Sequence, residues 1–219
     1  MTKTTRPTAV RHPGFDINSS FVIRHSSFRG GAAFAFTIIE LLVVISIIII
    51  LAGLILSTVG YVQKKGARSR AEAEIAAISA ALESYKADNG IYPRDTQTDS
   101  LDARTNLYPY GSDSALYDAA SQSLYSALSG DTNRNRQLDP GETGKTYFSF
   151  KPNTLSPTGG SGTVTAIRDP FGNAYGYSTA YQTDSTKGYN PTFDLWSTSG
   201  RKEPTDTDQS YIARWTKNW

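Results

Sequence analysis

Phe36-Thr37-Ile38-Ile39-Glu40-Leu41-Leu42-Val43-Val44-Ile45-Ser46-Ile47-Ile48-Ile49-Ile50-Leu51-Ala52-Gly53-Leu54-Ile55-Leu56-Ser57-Thr58-Val59 is long enough to cross a bilayer and carries one charge, Glu40, near its start. No side chain from Leu41 to Val59 is charged, and about 20 apolar residues rising ~1.5 Å each match a hydrocarbon core of roughly 30 Å. The run exceeds the apolar region of a secretory signal peptide, about 7–15 residues, and no small-residue cleavage site follows it. A membrane helix is expected here. An ionised Glu inside it costs on the order of 2.5–3.5 kcal/mol. Glu40 therefore either snorkels to the headgroup boundary or meets a cation.

Residues 1–35 hold Lys3, Arg6, Arg11, Arg24 and Arg29 against Asp16, and end in Gly30-Gly31-Ala32-Ala33-Phe34-Ala35. A basic arm before an uncharged helix reads as cytoplasmic side first. The whole chain has 22 basic and 20 acidic residues; five and one of these fall in 1–35, leaving 17 and 19, a net of −2. The basic balance thus belongs to the leader, and nucleic-acid binding is not expected of the rest. With no Cys, the chain has no disulfide, thiolate nucleophile or zinc-thiolate site. Both His residues, His12 and His25, lie in 1–35, so the remainder lacks the commonest general base. No carboxylate pair is spaced for catalysis, and an enzyme is not expected.

A basic leader, a small residue and then Phe36-Thr37-Ile38-Ile39-Glu40-Leu41-Leu42-Val43-Val44-Ile45 closely resemble the class III signal of type IV pilins and type II secretion pseudopilins. The resemblance implies that a prepilin peptidase cuts between Ala35 and Phe36, that the new Phe36 amino terminus is methylated, and that Glu40 becomes the fifth mature residue. Ala35 stands where the family usually has Gly. The resemblance also implies that Glu40 pairs with the Phe36 amine of a neighbouring subunit as it docks into a homo-oligomeric filament. Two opposite charges in a low-dielectric bundle attract strongly, and only one axial register lets them meet. The implied setting is a single-pass inner-membrane precursor, N-terminus cytoplasmic and head periplasmic, that works with a secretion-system assembly platform.

Beyond Val59 the helical pattern continues. Ile75, Ile78, Leu82 and Tyr85 recur at steps of three and four among strong helix formers, and Asn89-Gly90 with Pro93 shortly after forms a stop. One helix of about 50 residues follows. Tyr85-Lys86-Ala87-Asp88-Asn89-Gly90-Ile91-Tyr92-Pro93 again looks like the end of a pseudopilin helix. Lys64, Lys65, Arg68 and Arg70 carry no interleaved aromatic platform and read as a membrane-surface or filament-surface anchor rather than a nucleic-acid patch. Residues 94–112 are polar and read as loop. From Asp113 to Ser129, Leu116, Ala120, Leu124, Ala127 and Leu128 predict a short amphipathic helix, capped by Ser112 or Asp113 and closed by Gly130.

After residue 145 the composition turns aromatic and β-branched, and strands are expected at Thr146–Phe150, Thr163–Ile167, Ala174–Ser178, Thr192–Ser197 and Tyr211–Trp215. The fold class expected is α+β and pilin-like: one long N-terminal helix, half in the membrane and half exported, packed on a small antiparallel sheet, with a short extra helix before a loop. Its divisions are a leader at 1–35, a transmembrane half at 36–60, an exported half at 61–89 and a globular head at 90–219. Asp169-Pro170-Phe171-Gly172-Asn173-Ala174-Tyr175 resembles the family's Asp-Pro-Trp-Gly-Asn-Pro-Tyr stretch, and its Pro, Gly and Asn predict a turn. Together with Asp194-Leu195-Trp196-Ser197 and the absence of Cys, it makes the major pseudopilin of type II secretion the nearest resemblance within the class.

Two stretches are candidate calcium ligands. Asp131, Asn133, Asn135, Asp139 and Glu142 fall at positions 1, 3, 5, 9 and 12 of an EF-hand loop, with the Gln137 carbonyl at position 7 and Leu138 as the apolar residue at position 8. Calcium takes about 6–8 oxygens, which this spacing can wrap around one centre. Position 6 is Arg136 rather than Gly, and no helix is expected to follow. The plain alternative is an Asx-rich turn. Asp194-Leu195-Trp196-Ser197-Thr198-Ser199-Gly200 looks like the start of the family's own calcium loop, but Arg201-Lys202 stand where an Asp is usual, leaving Asp206 and Asp208 as donors or as exposed loop acids. Trp196, Trp215 and Trp219 read as packing anchors. Other readings of the chain are a surface or DNA-uptake type IV pilin, or a monomeric membrane-tethered calcium-binding domain with Glu40 a bystander.

Overall fold

The computed structural model describes residues 36–142 and 144–219; the leader, Ala35 included, lies outside the described residues. The chain divides after Ile50 into two units, Met1–Ile50 and Leu51–Trp219. One helix, α1 (Ile38–Asn89, 52 residues), runs through both. It is long and apolar enough to cross a membrane. In the first unit its apolar side chains are exposed from Phe36 to Ile50. The Ser46 hydroxyl donates to the Val43 carbonyl at 2.7 Å, so its polarity is met inside the helix, as an apolar solvent requires.

In the second unit the exposed apolar run continues through Leu51, Leu54, Ile55, Leu56, Val59, Tyr61 and Val62. The pattern then changes. Ala67, Ala71, Ile75, Ile78 and Leu82, at steps of four and three, are buried. Gly90 ends the helix at φ +80°, its N–H on the Lys86 carbonyl at 2.7 Å.

The strands form two small antiparallel sheets. β1 (Leu155–Ser156) pairs with β2 (Ala166–Ile167), and β3 (Gly176–Ser178), β4 (Asp194–Ser197) and β5 (Thr216–Lys217) form the order β3-β4-β5. Tyr175, Tyr177 and Leu195 share a core with Ile75, Ile78 and Leu82 of α1 and with Leu124, Tyr125 and Leu128 of a second long helix, α3 (Ser114–Ser129). A second core gathers Trp196, Trp215, Tyr117 and Tyr211. The architecture is α+β, with one long apolar helix and small antiparallel sheets.

Several local expectations need correction. Residues 146–150 make no strand: the Tyr147 and Phe148 N–H groups both donate to the Leu128 carbonyl, at 2.8 and 2.9 Å. A helix leaves its last carbonyls without internal partners, and this segment satisfies one of them. Tyr211–Trp215 is not a strand either. α5 (Asp208–Ala213) takes in its first three residues, with the Thr207 cap accepting the Ser210 N–H at 3.1 Å. Tyr211 and Trp215, four residues apart, are both buried, and β5 begins only after them.

The polar stretch 94–112 contains a helix, α2 (Thr96–Ser100), fixed by a reciprocal capping box between Asp95 and Thr98. α3 starts without the expected side-chain cap. Asp113 already has helical angles, φ −88° and ψ −9°, and a single 3-10 turn, Gly111–Asp113, leads into the helix. Its buried face includes Tyr117, Ser121 and Tyr125 as well as Ala120, Leu124 and Leu128. α4 (Ala180–Thr183) is one further short turn.

Candidate functional site

The start of α1 is built from Thr37. Its side-chain oxygen accepts the Glu40 N–H at 3.2 Å and its carbonyl accepts the Leu41 N–H at 3.1 Å, which makes it the N-cap with Glu40 at the third helical position. Thr-x-x-Glu is the capping-box sequence, a signal present in the chain and missed in favour of the charge alone. A carboxylate in a first turn is also favoured by the helix dipole. Glu40 is exposed and, among the described residues, forms no ion pair. Phe36, four residues earlier, is 76% exposed.

The loop after α3 is closed at its neck by two glycines. A Cβ on Gly130 would lie 2.7 Å from the Gly144 carbonyl oxygen, and one on Gly144 would lie 2.9 Å from Gly130 Cα, so the two backbones cross with no room for a side chain. Gly130 also sits at φ +79°. Between these ends the candidate ligands meet. Asp131 is buried, and its carboxylate accepts from the Tyr125 hydroxyl (2.8 Å), the Arg136 N–H (2.7 Å) and the Asn135 N–H (3.1 Å).

Glu142 accepts from the Thr132 N–H and hydroxyl (2.6 and 2.7 Å), the Asn133 N–H (3.0 Å) and the Asp139 N–H (3.1 Å). The Thr132 hydroxyl first, then these backbone donors, hold its carboxyl down at about 2. Asp139 Oδ2 accepts from the side-chain amides of Asn133 and Asn135, each at 2.7 Å. The Asn oxygens accept the N–H groups of Asn135 and Gln137 at 2.9 and 2.8 Å.

Arg136 supplies the turn that a Gly usually makes. Its φ is +74°, in the left-handed region costly for a non-glycine residue, and its guanidinium holds the position by donating to the Gly162 (3.0 Å) and Pro157 carbonyls. Arg134 is likewise at φ +61°. Gln137 and Leu138 are exposed, Leu138 by 56%, so Leu138 does not pack inward at position 8. No helix leaves the loop at Glu142, the next α-helix being α4.

Among the described residues no group of three or more carboxylates or imidazoles is arranged to hold a metal. The donors are instead three acids, two amides and a main-chain carbonyl, oxygens of the kind a hard cation takes. They are bonded to one another and to loop N–H groups, so an ion here competes with the loop's own hydrogen bonds. Tyr125 was missed by sequence reasoning, because the chain reversal at Gly130 is what brings it onto Asp131.

The C-terminal acids are engaged by cations. Asp206 pairs with Arg214 and accepts the Glu203 N–H at 2.7 Å. Asp208 takes Lys202 Nζ and the Tyr108 hydroxyl, each at 2.6 Å, and these partners hold its carboxyl low.

The 169–173 turn forms as expected. Asp169 accepts the Phe171 and Asn173 N–H groups at 3.0 and 2.8 Å and the Ser197 hydroxyl, with Gly172 at φ +87°. Burial pushes its carboxyl up from 3.8 to about 6, against the pull of these donors. Between those values the folded state binds more protons than the unfolded one, so stability falls as pH rises through the window. From pH 4 to pH 7 wild type is expected to lose about 2–3 kcal/mol relative to Asp169→Asn, read as the change in the gap between their urea midpoints. A pH-independent gap would disprove this.

Compared with family models, curated proteins and solved structures, the chain matches none. What the chain offers is the chemistry of its own residues: an exposed carboxylate at the head of an uncovered apolar helix, and an oxygen-rich loop tied shut at its neck.

Proposed function

We propose that this chain is a structural subunit of a filament of the type IV pilin class, most like the major pseudopilin of a type II secretion system, and that it supports protein export. In this reading prepilin peptidase cuts between Ala35 and Phe36, Phe36 is N-methylated, and α1 assembles copies into a periplasmic filament on an inner-membrane platform. The head lies in the periplasm and the leader in the cytoplasm. One observation carries the reading: a single unbroken helix leaves its apolar side chains uncovered through Val62 and buries its later face, Ile75 to Leu82, against the β-strands and α3. A tether needs only the membrane run. A helix continuous with the core would transmit one subunit's axial position to the next.

Mass spectrometry of the mature protein tests it directly. A chain beginning at N-methylated Phe36 is the expected result, and an uncleaved chain overturns the reading. Crosslinking of membranes should give a ladder of homo-oligomers; a lone band favours a monomeric tethered domain.

The loop at Asp131–Glu142 favours calcium as a ligand in either case. At calcium about a hundredfold above its dissociation constant, binding adds ~2.7 kcal/mol, so the melting temperature should rise by roughly 5–10 °C. Asp131→Ala/Glu142→Ala should show no such rise. No rise in wild type at millimolar calcium would remove calcium from the account.

A further inference from the structure

Where the exposed apolar run of α1 ends, a cleft of about 450 Å³ opens between the helix on one side and the 169–173 turn, the segment after β4 and Arg214 on the other. Lys64, Lys65 and Arg68 line it from the helix, and Arg201 and Arg214 from the other side, with Glu203 the one acid in the lining. A contiguous hollow extends it to Arg70.

Part of this charge is matched within the chain. Lys64 lies 3.9 Å from Glu203, Arg68 lies 3.3 Å from Glu72, and Arg214 pairs with Asp206. Lys65, Arg70 and Arg201 have no carboxylate partner among the described residues, and Arg214 Nε is buried without an acceptor. The cleft thus holds surplus positive charge on two walls that face one space.

We infer that this cleft seats the phosphate of an anionic phospholipid headgroup in the leaflet next to the folded unit. The occupant follows from position. The apolar band Leu51–Val62 is exposed and runs into the cleft on the same helix. Lys64 is ~3 Å and Arg68 ~9 Å beyond Val62 along the axis, which spans the headgroup layer, roughly 5–8 Å thick on each side of a bilayer. Tyr61, 71% exposed at the rim, has the amphipathic ring suited to that depth. A headgroup with one net negative charge complements the surplus, and a zwitterionic one does not. The inference rests on α1 crossing a bilayer and is independent of filament assembly.

The test uses the full chain in neutral detergent, exposed to equal phosphatidylglycerol and phosphatidylcholine, with retained lipid counted by native mass spectrometry. Wild type should keep phosphatidylglycerol over phosphatidylcholine by about tenfold or more. Each cation at a membrane surface contributes roughly fivefold, so Lys65→Gln/Arg201→Gln should lower the preference by at least about tenfold with its melting temperature unchanged. Lys151→Gln, outside the cleft, should keep the wild-type preference.

Equal retention of the two lipids, or an unchanged preference in the double variant, overturns the inference. So does full displacement by millimolar inorganic phosphate, or tighter retention of a single-stranded oligonucleotide. Alkaline carbonate washing of membranes separates the two failures. A chain that washes off overturns the membrane reading and this one together, whereas a chain that stays but shows no lipid preference overturns this one alone.

Discussion

Glu40→Leu is expected to enter membranes as wild type does and to yield no filament. Removing the carboxylate takes a charge out of the apolar run, which on permissive scales favours insertion by about 2.5–3.5 kcal/mol. In an assembled bundle the same carboxylate, about 4 Å from a neighbour's Phe36 ammonium, contributes on the order of 4 kcal/mol at an effective dielectric of 20. That is roughly a thousandfold in each docking equilibrium. The effect compounds with every subunit added, so filament yield should fall below detection.

The structure sharpens this test, because the cap at Thr37 uses only the Glu40 N–H, so what the carboxylate adds to the helix itself is a negative charge in its first turn. Gln serves the third position of a capping box as Glu does, but carries no charge. If charge pairing is the role, Glu40→Gln fails to assemble just as Leu does. Normal filaments from Glu40→Gln would show that the charge is not needed for docking and would sink the assembly role.

Gly176→Ala should destabilise the folded unit by about 3 kcal/mol or more and lower its melting temperature by roughly 6–12 °C. Gly176 lies directly across the ladder from Trp196, and a Cβ there would meet the indole at 2.2 and 2.3 Å, from Cε2 and Cζ2. The ring cannot withdraw. It is fully buried, stacked on Trp215 at 5.9 Å, set edge-on to Tyr117 at 5.6 Å, and its N–H donates to the Tyr117 hydroxyl at 3.0 Å. A methyl group at residue 176 must therefore push the strand out of register or break the aromatic cluster. Adding Trp196→Leu should give back part of the loss, because the two changes act on one space. A Gly176→Ala variant that melts within about 1 °C of wild type would show that the sheet gives way around the ring and would overturn this account.

Much of this was legible from residues alone. The long apolar run, the helix to Asn89, the Gly90 and Gly130 stops, the core steps Ile75, Ile78 and Leu82 and the Asp169 turn all rest on short-range rules, and all appear where those rules put them. The misplaced elements share one cause. Thr146–Phe150 and Tyr211–Trp215 are rich in residues that suit either a strand or a buried helix face, and local composition does not say which neighbour offers a free carbonyl or an aromatic shelf. The Leu128 carbonyl answered for the first, and Trp196, stacked with Trp215, for the second.

The same division runs through the sites. Sequence alone determined that one charge sits near the start of an apolar span, and that Asp131, Asn133, Asn135, Asp139 and Glu142 recur at the spacing of an oxygen-rich loop, because charge, hydropathy and periodicity belong to the chain. Only the tertiary structure decided that Gly130 and Gly144 pinch that loop shut, that Arg136 can hold a left-handed turn by reaching the Gly162 and Pro157 carbonyls, and that Arg201 and Arg214 face Lys64 and Lys65 across one cleft. These pairs are separated by 14 to about 150 residues of sequence. Whether such residues meet depends on packing between distant segments, which no local rule encodes.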